Sequence, residues 1–147
     1  MVKISGGDRL EAALAEIAKK LSTASTLSVG FLEGSQYSDG TSVPMVAAVQ
    51  EFGAPARNIP PRPFFRDMIA AKSPEWPEAV GDLLISNDYD ASKTLGQTGA
   101  AIKGQLQQSI ADFNGVPLSE ATIAKKGSSK QLIDTSVMIN SVDFEVK

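Results

Sequence analysis

The chain has 147 residues, a net charge of −3, no histidine and no cysteine. Without cysteine there are no disulfides, thiolate metal sites or thiol nucleophiles; without histidine the commonest general base, the commonest zinc ligand and every Ser-His-Asp triad are gone. With 42% hydrophobic residues the sequence reads as one globular domain over residues 1–147 that, as a whole, is not drawn to nucleic acid, and its composition is compatible with a cytoplasmic origin.

The N-terminus "MVKISGGDRL" lacks the apolar stretch of a secretory signal, and no apolar run nears the roughly 18 residues of a membrane span. Asp8 is a candidate N-cap. Leu10, Leu14, Ile17 and Leu21 then recur at helical spacing, which predicts an amphipathic helix with one buried face. In "LSVGFLE" Leu27, Val29 and Phe31 alternate with Ser28 and Gly30, the pattern of a half-buried strand. Gly34 to Ser42 reads as a flexible polar loop. Ser42 or Thr41 caps the next helix, Pro44 lies in its first turn, and Gly53 ends it.

Beyond a Pro/Arg loop, Phe64 to Ala71 is helical in pattern. Ser73 and Pro74 open a further helix through Trp76, Val80, Leu83 and Leu84. From Asp90 a long helix carries Leu95, Ile102, Leu106, Ile110 and Phe113. Gly96, Gly99 and Gly104 lie inside it at about 1 kcal/mol each relative to alanine, which predicts close packing. Gly115 and Pro117 break the pattern, Ser119 caps a short helix ending at Gly127, and Gly127 to Lys130 is a flexible turn. Thr135 caps a last helical turn. Val142, Phe144 and Val146 alternate with Asp143 and Glu145 as a second strand. The expected fold is α+β, a small antiparallel sheet packed against several helices, including one long helix, with the two strands sharing a face.

Catalytic and ligand motifs fail on inspection. "NDYDAS" puts Asp88 and Asp90 at calcium-loop spacing, but Lys93 stands where the glycine belongs and Gly99 where the closing glutamate belongs. "KKGSSK" lacks the order of a phosphate loop. Glu75/Glu78 and Asp88/Asp90 are explained by helix capping and solvation. The chain is read as no enzyme, with no cofactor and no metal.

The distinctive stretch is "VAAVQEFGAPARNIPPRPFFR", Val46 to Arg66. Residues before proline avoid the helical region, so Ile59, Pro60, Pro61 and Arg62 favour extended backbone. It reads either as a rigid loop with both aromatics partly buried or as a docking arm formed by Arg57, Pro60, Pro61, Arg62, Pro63, Phe64, Phe65 and Arg66. In the arm reading Phe64 or Phe65 is the apolar anchor and Arg62 the charge-paired pin. Adjacent phenylalanines on a helix diverge by about 100°, so one of them joins the core. Ala54 to Lys72 is basic, whereas Ser73 to Ser92 holds Glu75, Glu78, Asp82, Asp88 and Asp90 and no base. Such a chain is suited to head-to-tail association, which closes into rings when the rotation allows.

These residues resemble a signature of small tailed-bacteriophage morphogenesis proteins. It consists of an "A-x-x-x-E-F-G" helix end (Ala48, Glu51, Phe52, Gly53), a short loop, then "I-P-x-R-P-F-[FL]-R" (Ile59, Pro60, Arg62, Pro63, Phe64, Phe65, Arg66). Near the C-terminus "LIDTSVMINSV" is similar to that family's "L-I-D-T-G-x-[LM]-x-x-S-I" through Leu132, Ile133, Asp134, Thr135, Met138 and Ser141, with Ser136 for glycine and Val142 for isoleucine. The resemblance implies a neck or tail-completion (head–tail joining) protein of the virion, present in the host cytoplasm during assembly. It implies a hexameric ring between connector or portal-side neck proteins and the tail terminator or tail tube, with weak contact to DNA in the channel and no membrane. Left open are a tail terminator or minor tail role and a monomeric adaptor acting through the Pro/Arg arm. A nucleic-acid binder using Arg57, Arg62, Arg66, Lys125, Lys126 and Lys130 is a further alternative.

Overall fold

A computed structural model describes residues 5–114 and 135–147. In chain order these form α1 (Gly7–Leu21), β1 (Leu27–Phe31), α2 (Val43–Phe52), α3 (Phe64–Lys72), α4 (Trp76–Ser86), α5 (Ala91–Asn114), a short helical stretch at 135–140, and β2 (Val142–Val146). The architecture is mixed α+β, a two-stranded antiparallel sheet with five α-helices of which α5 is the long one.

α5 is the spine. Asp90 starts it as a cap, its Oδ1 accepting the Lys93 N–H at 3.0 Å. The buried line along α5 is Thr94, Thr98, Ile102, Leu106 and Ile110, one residue in every four. Leu95 and Phe113 are half-buried beside it. The two threonines stay satisfied, with Thr98 Oγ1 donating to the Thr94 carbonyl at 2.8 Å and Asn87 Nδ2 donating to Thr94 Oγ1 at 3.2 Å. Val43 and Ala47 of α2, Phe64 and Met68 of α3, Met138 and Val142 complete the core around the lower half of α5.

The sheet has the expected register. Leu27 faces Val146, Val29 faces Phe144 and Phe31 faces Val142, so all six occupy one face. That face lies on α5 at Gly99, where a Cβ would collide with the Phe144 ring and stand 2.8 Å from Leu27 Cδ1. Close packing explains this glycine; around Gly96 and Gly104 the space is open. The other face presents Ser28, Gly30, Asp143 and Glu145, and Lys103 reaches Asp143 at 3.3 Å. Each strand has one edge with no strand partner among the described residues.

Three local expectations need correction. α1 begins at Gly7 behind Gly6, whose φ is 100°, and no side chain caps it; Asp8 sits in the first turn, where its charge still favours the helix dipole. No residue of α1 is buried: α5 already covers the apolar face of the sheet, and among the described residues the stripe of α1 is only half-covered, at Ile17. Ser73 does not cap α4. Instead a 3₁₀ turn, Ser73–Glu75, joins α3 to α4. The 34–42 loop is tied to itself, with Tyr37 N–H donating to the Thr41 carbonyl, Gly40 N–H to Tyr37 and Val43 N–H to Ser35, each at 2.9 Å. Ser42 caps α2 by accepting the Met45 N–H. The expected short helix from Ser119 and the turn from Gly127 to Lys130 lie outside the described residues, as do Lys125 and Lys126.

Candidate functional site

The Val46–Arg66 stretch folds as one unit, and its centre is Glu51. This carboxylate is only 6% exposed, in a part of the molecule where a bare charge would be costly. It is fully engaged. Oε2 accepts the Phe65 N–H at 2.9 Å; Oε1 accepts the Arg66 N–H at 3.1 Å and Arg66 Nε at 2.7 Å. Arg66 Nη2 also donates to the Glu51 carbonyl at 2.9 Å. Pro63, the residue before α3, gives that helix no side-chain cap. Glu51 supplies the cap from the preceding helix and places a negative charge at the positive end of α3. The guanidinium of Arg66 lies 5.2 Å from the centroid of the Phe52 ring, a cation–π arrangement.

Gly53 turns the chain out of α2 with φ 74° and ψ 175°, a region open essentially to glycine alone. A side chain there would meet the Ile59 carbonyl oxygen and the Pro61 nitrogen, each 2.8 Å from the Cβ position. The loop therefore folds back over the end of α2. Ala54 and Ile59 exchange backbone hydrogen bonds at 2.9 and 3.1 Å, Pro55–Arg57 is a 3₁₀ turn, and Asn58 takes the left-handed conformation at φ 56°. Arg62 N–H donates to the Gln50 carbonyl at 2.6 Å. The expected arm therefore does not begin extended at Arg57, which lies in the closed turn over residues 54–59; the run that carries Pro60, Pro61 and Pro63 is non-helical.

The eight residues of the expected arm fall into two groups. Arg57, Pro60, Pro61 and Arg62 are exposed, and neither Arg57 nor Arg62 makes a side-chain hydrogen bond or ion pair with the described residues. Pro63 and Phe65 are half-buried, and Arg66 is held by Glu51. Phe64 is the phenylalanine that joins the core. It is 1% exposed, packs edge-on against Phe31 with centroids 6.2 Å apart, and its carbonyl accepts Ser109 Oγ at 2.6 Å. It is therefore not available as an anchor for a partner. The exposed aromatic is Phe52, at 67%. Sequence reasoning passed over it because the stripe of α2 placed it among the apolar positions. The signal for Glu51 was an acid inside an otherwise apolar helix end.

Between α2, β1 and α3 lies a cavity of about 330 Å³ with apolar walls that include Phe31, Ala47, Phe52 and Phe65. In the second motif Met138 is core and Ser141 is buried, its Oγ donating to the Val137 carbonyl at 2.7 Å. Ser136 is exposed in the 135–140 helical stretch, where a side chain in place of glycine meets no obstacle. Leu132 to Asp134 lie outside the described residues. Among the described residues no three His, Cys, Asp or Glu side chains converge as a metal site, and no helix is long and apolar enough to cross a membrane. No protein-family model, curated protein or solved structure matches the chain.

Proposed function

We propose that the chain is a structural protein of a bacteriophage virion that acts as a ring subunit joining head to tail. The observation that carries the reading is the folding of "E-F-G" and "P-F-F-R" into a single clamp. Glu51 holds Arg66 and caps α3, Phe52 stacks on Arg66, and Gly53 brings the loop back. The motif behind the resemblance thus has a physical reason for its residue types and spacing. Uncovered apolar surface supports an assembling subunit: Leu10, Leu14, Met45, Phe52 and Ile85 are each more than half exposed. The exposed Arg57 and Arg62 favour the second reading, an adaptor that binds one partner through this loop.

Deleting the coding sequence from its phage or prophage is expected to leave filled heads and finished tails unjoined, seen by electron microscopy of the lysate. Normally joined particles from the deletion would overturn the reading.

A further inference from the structure

The first half of α1 is left uncovered by the described residues. Residues 5–16 are all exposed, Leu10 and Leu14 by 62% and 57%, and only Ile17 and Lys20 are half-buried. A 15-residue helix is marginal in water on propensity alone and draws its stability from burial of its apolar stripe. The described residues half-cover that stripe at Ile17 and leave Leu10 and Leu14 exposed.

The cavity between α2, β1 and α3 has the opposite deficit. Phe52 stands exposed on its rim, and its walls are apolar. Its two charged groups, Glu51 and Arg66, are committed to each other. No hydrogen-bonding side chain is left to orient a polar ligand, the usual mark of a small-molecule site. What suits it is a row of aliphatic side chains, as a helix offers when it lies in a groove.

Charge selects the occupant. Lys20 bonds Asp88 at the junction of α4 and α5, so the C-terminal end of α1 lies near the end of the acidic helix α4, which exposes Asp82 in its middle and Glu75 and Glu78 at its start. The loop that joins the cavity-lining Phe52 to Phe64 carries Arg57 and Arg62, exposed and unpaired among the described residues. The chain thus carries a leucine ridge and an acidic helix on one hand, and on the other an apolar cavity whose connecting loop is basic. We infer that α1 of one copy lies in the α2–β1–α3 cavity of a second copy, Leu10 and Leu14 entering it while the acidic side of α4 meets Arg57 and Arg62. The contact is head-to-tail, so each copy keeps one donor and one acceptor surface and the assembly grows until it closes. This inference rests on the ring reading above and supplies its subunit contact.

The absence of cysteine allows a direct test. A Leu14→Cys, Phe52→Cys double variant, treated with a short bismaleimide, is expected to give a covalent ladder from dimer upward on a denaturing gel. The two single variants are each expected to stay monomeric alone and to give only a dimer when mixed. No product from the double variant overturns the inference, and so does a dimer from Leu14→Cys alone, which would mean that α1 pairs with α1. Cosedimentation of the wild type but not Leu14→Asp with anionic lipid vesicles, without any ladder, would assign α1 to a membrane surface instead. Light scattering separates the two levels. A wild-type mass of several subunits without the ladder sinks this contact and leaves the ring reading standing, whereas joined particles from the gene deletion sink the ring reading itself.

Discussion

Glu51 and Arg66, fifteen positions apart, are joined by two hydrogen bonds from one guanidinium, Nε to the Glu51 carboxylate at 2.7 Å and Nη2 to the Glu51 carbonyl at 2.9 Å. The glutamate is buried and the arginine is about half exposed. Removing the buried acceptor leaves the Phe65 and Arg66 amides without their partner, whereas removing the arginine frees a group that water can replace. Glu51→Ala is expected to cost about 2 kcal/mol and Arg66→Ala about 1 kcal/mol. Urea unfolding of both variants and the double variant measures the coupling, expected near 1 kcal/mol. Additive losses would show that the two act independently.

Gly53→Ala is expected to destabilise the fold by about 3 kcal/mol, combining the strain of its backbone conformation with a clash against the returning loop. The Ile59 carbonyl and Pro61 nitrogen are backbone atoms and cannot rotate away. A melting temperature within a degree or two of wild type would contradict this geometry.

The three glycines of α5 separate. Gly99→Ala drives a methyl group into Phe144 and Leu27 and is expected to cost about 1–2 kcal/mol net of its helix-propensity gain. Gly96→Ala and Gly104→Ala meet open space and are expected to stabilise by up to about 1 kcal/mol. Thermal unfolding of the three single variants ranks them, and stabilisation by Gly99→Ala would mean that the sheet does not rest there.

Asp143 predicts an acid limb. The Phe144 N–H, then the Lys103 ammonium, hold its carboxyl below the usual carboxylate value. A depressed folded-state pKa contributes stability that is present above the unfolded value, near pH 4, and is lost as pH falls through the folded one. Asp143→Asn is therefore expected to flatten the fall in stability below about pH 4, with little change in shape at neutral pH. Identical acid limbs in circular dichroism titrations would remove Asp143 from the account. Lys20 runs the other way. Its hydrogen bond to Asp88 raises its pKa, so that contribution is complete at neutral pH and fades only in strong alkali.

Arg62→Glu is expected to leave the melting temperature unchanged, because the side chain is exposed and makes no hydrogen bond or ion pair with the described residues. The same substitution is expected to block joining of heads to tails. Wild-type titres of infectious particles would remove Arg62 from the interface.

The sheet was legible in the sequence because period-two alternation at 27–31 and 142–146 is a direct imprint of one buried face, and the pairing of Val29 with Phe144 follows from it. The capping roles of Ser42, Asp90 and Gly53 were legible for the same kind of reason, each being set by local backbone geometry. Tertiary assignments were not. The periodicity of Leu10, Leu14 and Leu21 says that a helix has an apolar side, but not which molecule covers it. Thr94 and Thr98 look polar in isolation, and only the hydrogen bonds of their neighbours make them core residues. The turn at residues 54–59 was not legible because proline preferences are local, whereas the Ala54–Ile59 pairing that closes it depends on what Gly53 permits.

β1 and β2 meet across roughly 115 residues of intervening chain, a loop whose closure entropy is large and must be met before any strand contact returns it. α3 and α5 pack together within a much shorter span, so a helical assembly with the Gly99 side of α5 still wet is expected to precede the sheet in time. Refolding is expected to be slow for a chain this rich in helix, with its last phase reporting the arrival of Val142 and Phe144 at the core. Until then both strands are open to pairing with other chains, and rapid dilution at low protein concentration is the condition under which folding outruns aggregation.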